Sequence, residues 1–313
     1  MCCLDSAIDL NNSFLTVVTP TYNRANLLPR LYESLKDQTC HDFVWLVIDD
    51  GSTDNTREAI RKIKDDGPDF VVQYEYKENG GKHTALNLAI EKVKTELFFI
   101  VDSDDRLTTN AIETIKHDWT QLSERQVTKC SAREICGISY LRGYSKDEII
   151  GERFSDDNLI SDFIEERYNK GTEGDKAEVV ATKCLRGFRF PEYKGERFIS
   201  ESVLWIWLAE RYDMLFVNKI IYIAEYQEGG LSATGRKLRF QCPHLMAYGS
   251  LITMTKRFSL KIRIKETLLY IVYSLFGHFG WKKIFSCKYK GLVSICAVPG
   301  WMLYRLWKWK YKM

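Results

Sequence analysis

Long apolar runs are the first thing this chain of 313 residues lacks. A membrane-spanning helix needs roughly 20 such residues, and the best candidates, 267–279 and 291–303, fall short. Attachment to a membrane surface stays open to the chain, whereas a spanning segment is not expected. Paired metal-binding cysteines are missing too. The nine cysteines (Cys2, Cys3, Cys40, Cys130, Cys136, Cys184, Cys242, Cys287 and Cys296) are odd in number, scattered, and never spaced Cys-x-x-Cys. That pattern argues against a zinc site and for free thiols in a reducing compartment. The opening Met1-Cys2-Cys3-Leu4-Asp5 has no basic stretch and no apolar core, so no secretory signal is expected. Neither an internal repeat nor a low-complexity block interrupts the chain. Its 45% hydrophobic and 28% charged content belongs to a globular protein, not a disordered one.

Charge is present but unevenly spread. From Lys256 to Met313 there are 13 Lys and Arg against one acid, Glu266, which leaves the first 255 residues at −9 and the rest at +12. Tryptophans 281, 301, 307 and 309 lie among those cations. Rings beside ammonium groups suit the headgroup layer of an anionic membrane. Interfacial attachment is therefore the expected role of residues 241–313, with packing against the chain's own domain the plainer alternative. Binding of nucleic acid is not expected.

The remainder reads as alternating strands and helices. Apolar, β-branched runs predict strands at 15–19, 42–48, 70–76 and 96–101. Helical spacing fills 25–38, 54–64 and 82–93, with Asp54 offered as a cap. That order predicts a mostly parallel α/β sheet. A helix over 109–123 and a strand over 134–141 follow, and then a charged, loop-rich stretch over 142–190. Residues 201–211 are expected to be helical and 215–226 extended. The division expected is one α/β domain over 1–240, with a donor half at about 14–110 and an acceptor half at about 130–235, followed by the helical tail.

Three of these strands end in polar or acidic residues: Thr19-Pro20-Thr21-Tyr22-Asn23-Arg24, Asp49-Asp50-Gly51-Ser52-Thr53-Asp54, and Asp102-Ser103-Asp104-Asp105. Open α/β sheets bind ligands just beyond such strand ends. Three carboxylates within four residues repel one another unless a cation or a solvated turn compensates. Between them, Asn79-Gly80-Gly81-Lys82-His83-Thr84-Ala85-Leu86-Asn87 opens a helix after two glycines. Glycines permit close backbone approach and a helix N-terminus favours anions, which suits a diphosphate.

Taken in order, these four motifs resemble the signatures of family 2 glycosyltransferases with the GT-A fold, such as those that build bacterial capsule and lipopolysaccharide. The resemblance implies a nucleotide-sugar donor, UDP-linked, bound by Thr19, Pro20, Tyr22, Arg24, Asp49, Asp50, Lys82, Asn87, Asp102 and Ser103. It implies Mg²⁺ or Mn²⁺ on Asp102, Asp104 and Asp105, shared with the diphosphate. Inversion at the anomeric carbon needs a base opposite the leaving group. The family's Glu-Asp pair is matched here by Ser200-Glu201, so Glu201 becomes the base, although a capping role would also suit a Glu there. Asp175, Gly229 and Gly230 resemble accessory positions for sugar or diphosphate. The Gln-x-x-Arg-Trp motif of processive synthases is absent, which argues for one sugar added per encounter. The expected acceptor is a glycan or lipid-linked glycan, at the cytoplasmic face of the plasma membrane. A nucleotidyltransferase would place a glycine-rich loop after its first strand, and 19–24 contains no glycine. A non-catalytic scaffold of the same fold has no need of Asp102, Asp104 and a carboxylate at 201.

Overall fold

A computed structural model describes residues 13–126, 133–225 and 238–311. The chain divides into two compact units, the first drawn from Met1–Ser161, Thr172–Phe188 and Arg211–Gln227 and the second from Asp162–Gly171, Arg189–Glu210 and Glu228–Met313.

The first unit is built on one sheet. In chain order it holds β1 (Leu15–Thr21), α1 (Leu28–Lys36), β2 (Phe43–Asp49), α2 (Thr56–Asp65), β3 (Val71–Tyr76), α3 (Lys82–Lys92), β4 (Leu97–Ile100), β5 (Arg106–Leu107), α4 (Ala111–Gln126), β6 (Ile135–Gly143), β7 (Leu159–Ser161), β8 (Lys176–Ala181) and β9 (Asp213–Ile223). The strands lie in the order β3-β2-β1-β4-β8-β6-β9-β5, with β7 also on β9. The four at the β3 end are mutually parallel, and antiparallel pairing enters at β8. Every residue of β1, β2 and β4 is buried, as expected for parallel strands covered on both faces. Helix α1 turns Leu28, Leu31, Tyr32 and Leu35 inward. Tyr32 stacks on Trp45 at 6.2 Å, and Phe43 on Phe70 at 4.5 Å. Truncating fully buried Trp45 to alanine would cost about 3–5 kcal/mol.

The stretch over 142–190 departs from the loop expected of it. Strand β8 crosses it and is buried along its whole length, Lys176 and Glu178 included. Lys176 donates to the carbonyls of Glu152 (2.7 Å) and Glu173 (2.9 Å), and its ammonium stands 5.5 Å from the Phe154 ring centroid. Those partners make burial of the charge tolerable.

The second unit is helical: α5 (Ser202–Ala209), α6 (Pro243–Ile252), α7 (Leu260–Phe276), α8 (Trp281–Ile284) and α9 (Lys290–Lys310), with a π-helical turn at Glu165–Asn169. Glu196 fastens the start of α6, accepting from the N–H groups of His244 (3.0 Å) and Leu245 (2.8 Å). Its core gathers Phe240, Met254, Tyr270, Ile271, Ile284, Val293 and Cys296. Gly300 lets α9 lie close on α7, since a Cβ there would come within 2.9 Å of Ile271. Among the described residues no helix is long and apolar enough to cross a membrane.

Candidate active site

The chain steps from β1 outward through β2 to β3, then returns to lay β4 against the other side of β1. The carboxyl ends of β1 and β4 therefore flank the point where the winding reverses, which is where open α/β sheets take their ligands.

The turn Asp102–Asp105 leaves β4 at that point and is closed by the Asp105 N–H on the Asp102 carbonyl (3.1 Å). Cations approach it from several elements. Lys82, the first residue of α3, pairs with Asp102 at 2.5 Å, and Arg24 stands 3.8 Å from Asp104. Arg30 of α1 donates to the Asp104 carbonyl and pairs with Glu225. Behind the turn lies Tyr222 of β9. Its hydroxyl accepts the Asp102 N–H (3.0 Å) and donates to Asp105 (2.6 Å). The Arg142 guanidinium sits 4.0 Å from the Tyr222 ring centroid and 4.0 Å from Asp105. The other Asp105 oxygen accepts the Glu225 N–H at 2.9 Å.

These surroundings split the three acids. Burial works to raise the Asp102 carboxyl, but Lys82, Arg142 and Arg24 outweigh it and hold the group below the usual carboxylate range. Burial and the neighbouring Asp102 charge raise Asp104. The same two causes push Asp105 up to about 6, against its bonds to Tyr222 and Glu225. Asp105 thus has both oxygens held within the protein, while the Asp102 and Asp104 side chains stay about one-quarter exposed, at 26% and 24%. Two partly open carboxylates, one of them raised by burial and by the charge of the other, fit a hard divalent cation that draws its remaining oxygens from water and phosphate. Among the described residues no three acidic, histidine or cysteine side chains form a ready-made metal cage.

The acids after β2 serve a different geometry. Asp49 accepts the Ser52 N–H (2.8 Å) and the Tyr74 hydroxyl (2.6 Å). Burial and that bond push Tyr74 up to about 12. Asp50 gathers Lys77 (2.7 Å) and the N–H groups of Gly80 (2.9 Å) and Gly81 (2.7 Å). Gly81 adopts φ 96°, open to glycine and strained for other residues, and its carbonyl receives the Thr84 N–H (2.9 Å) as α3 begins. Asp50 therefore shapes the loop that presents Lys82. Asn23, in the left-handed region at φ 52°, ties the loop after β1 to the loop after β2 by accepting the Thr53 N–H at 2.7 Å.

The remaining expected residues divide by place. Thr19 and Pro20 are buried in β1, and the Thr19 hydroxyl accepts the Trp45 indole N–H at 2.9 Å. Tyr22 is 46% exposed. Ser103 is buried in the acid turn and Asn87 inside α3. Asp175 is exposed just before β8. Ser200 and Glu201 belong to the second unit, where the Ser200 hydroxyl accepts the Ser202 N–H (3.2 Å) and the Glu201 carbonyl accepts the Leu204 N–H (2.9 Å) at the start of α5. Gly229 and Gly230 lie outside the described residues. Sequence reasoning missed Tyr222, Arg142, Glu225, Arg30 and Lys77, and no local pattern marks them. It also passed over Thr21 and Asn79, each with a buried side-chain oxygen that lacks a hydrogen-bond partner.

Comparison with known proteins agrees with this arrangement. Residues 16–134 match the family model "Glycosyl transferase family 2". A teichoic acid poly(glycerol phosphate) polymerase of Staphylococcus epidermidis is 33% identical over 98 residues, which cover 31% of this chain and 14% of the polymerase. The chain thus spans a small part of that relative's length. S. aureus TarS 1–349, solved in complex with UDP-GlcNAc, superposes with a TM-score of 0.57 at 19% identity, covering 88% of this chain and 76% of that one. The mannosyltransferase PcManGT of Pyrobaculum calidifontis, solved with GDP-Man and Mn²⁺, gives 0.52 at 16% identity, covering 94% and 82%. At these identities the two structures establish the shared fold.

Proposed function

We infer that this chain, a member of glycosyl transferase family 2 with the GT-A fold, moves a sugar from a nucleotide-sugar donor, UDP-linked, to a glycan or lipid-linked glycan. The observation that carries this reading is the acid turn at the reversal of the sheet, with Lys82 from a helix N-terminus and Arg24 both directed at it. A diphosphate needs that combination: cations and N–H donors for its charge, and carboxylates for a bridging metal. The UDP-GlcNAc bound by TarS supports the donor class.

Asp102 and Asp104 would hold Mg²⁺ or Mn²⁺. Bound there, the ion supplies charge neutralisation for the departing nucleoside diphosphate. Lys82 and Arg24 hold the diphosphate, and Tyr22 frames the base. Asp50 keeps the glycine loop in the shape that aims Lys82, and Asp105 keeps the acid turn closed through Tyr222 and Glu225. Proton removal from the acceptor hydroxyl in an inverting displacement falls to Glu201.

A panel of sugar nucleotides incubated with Mn²⁺, with nucleoside diphosphate release as readout, tests the reading. Release is expected with a UDP-sugar, lost on chelation and in Asp104→Asn. Glu201→Gln should keep donor binding and lower turnover by about 10²-fold or more. Failure to bind or turn over any sugar nucleotide would overturn the transferase reading. An unaltered rate in Glu201→Gln would remove that residue from the mechanism.

A further inference from the structure

Helix α9 carries two apolar faces. One, formed by Val293, Cys296 and Gly300, is buried, with Trp307 packed against the same core. The other looks outward: Ile295 is 76% exposed, Val298 68%, Met302 60%, Leu306 53% and Trp309 79%. Their spacing of three and four residues places all five on one stripe. The pitch of an α-helix puts Lys290, Arg305 and Lys308 along one border of that stripe and Lys310 along the other, and all four are exposed. Trp301, 45% exposed, stands on the more basic side with the Arg305 guanidinium 5.7 Å from its ring centroid.

We propose that this outward stripe of α9 is the surface by which the chain inserts into an anionic phospholipid leaflet. Side chains of this size, contiguous and exposed, have no packing partner within the described chain, and contiguous exposed apolar surface marks interaction sites. Charge decides which partner covers it. No acid occurs anywhere from 267 to 313. A second copy docked stripe to stripe would bring the cationic borders together with no carboxylate to offset them. A leaflet containing acidic lipid meets both demands: acyl chains accept Val298, Met302 and Leu306, and headgroup phosphates accept the bordering Lys and Arg, each worth about 1 kcal/mol near such a surface. Trp301, on the basic border beside Arg305, suits the interfacial layer where indole is favoured. This inference is independent of the donor site, which belongs to the other unit.

The test is co-sedimentation of the full chain with vesicles of phosphatidylcholine alone and with about one-third phosphatidylglycerol. Partitioning should be about tenfold or more stronger on the acidic vesicles and should weaken with salt. Brominated lipid should quench the tryptophan emission. The triple variant Val298→Ser, Met302→Ser, Leu306→Ser should keep its circular dichroism and its UDP binding, since these side chains are exposed, and should lose about tenfold in partitioning. Equal partitioning of the folded variant would overturn the proposal. So would failure of the parent chain to bind acidic vesicles at low salt. A parent dimer that the variant converts to a monomer, with neither binding vesicles, would assign the stripe to a second copy instead. UDP binding in the same preparations keeps the outcome separate from the fate of the transferase reading.

Discussion

Tyr222 shows how one hydroxyl can organise an acidic turn. It accepts from the backbone of Asp102 and donates to the side chain of Asp105, so its removal leaves a part-buried N–H and a buried carboxyl each short of a partner. Tyr222→Phe should destabilise the chain by about 1–3 kcal/mol and weaken Mn²⁺-dependent UDP binding. Denaturant melts and calorimetric titration measure the two effects, and an unchanged midpoint would remove Tyr222 from this role. The sequence displayed the acids themselves, because an apolar strand running into three carboxylates is a local pattern. It could not display Tyr222, Arg142 or Glu225, which reach the turn from later strands and look like ordinary strand or loop residues where they stand. Asp50 teaches the converse. Its local signature points to a ligand contact, whereas its oxygens meet Lys77 and two glycine N–H groups 27, 30 and 31 residues on. Asp50→Asn would set an amide donor against those donors, costing about 2–4 kcal/mol. Loosening the Lys82 loop should then raise the KM for donor more than it lowers kcat, and the reverse split would count against the loop role.

Among the elements, the parallel strands were legible because burial on both faces demands unbroken apolar runs. Strand β8 was not, because Lys176 and Glu178 disguise a central strand as a surface loop. Its burial depends on carbonyls of Glu152 and Glu173 that only the fold brings near. In the second unit, Gly300 fixes the approach of α9 to α7. Gly300→Leu would drive a side chain into Ile271 and should cost about 1–3 kcal/mol or more by overpacking. Loss of α9 protection in hydrogen exchange would localise the damage, and retained protection would show that the helices can slide apart. Helix α7 also carries Glu266, whose carboxyl is raised by burial against the pull of Lys265, Ser250 and Arg239. A raised folded value means the protonated acid is favoured by the fold, so stability is full below the ordinary carboxylate range and falls as pH climbs through the raised value. Glu266→Gln should therefore match the parent near pH 4 and exceed it near pH 8. A constant difference across that window would mean that Glu266 ionisation does not limit stability.

For the molecule as a whole, a net charge of +3 conceals −9 before residue 256 and +12 from residue 256 onward. Solubility follows the sum, but recognition follows the parts, because screening confines each charge to its surroundings within about 10 Å at ordinary salt. The acidic part nevertheless gathers Lys82, Arg24, Arg30 and Arg142 around the acid turn, where the proposed diphosphate would be received against the prevailing charge of its unit. The basic part carries exposed apolar side chains on α9 and only one acid. Two ligands of negative charge should therefore leave different footprints in hydrogen exchange. UDP with Mn²⁺ should slow exchange at 19–24, 49–54, 77–84 and 102–105. Vesicles containing phosphatidylglycerol should slow it at 295–309. Asp104→Asn should erase the first footprint and keep the second, and the Val298, Met302 and Leu306 serine variant should do the opposite. A vesicle footprint on the acidic turn, or a nucleotide footprint on α9, would mean that charge alone, and not the geometry of each surface, selects the ligand.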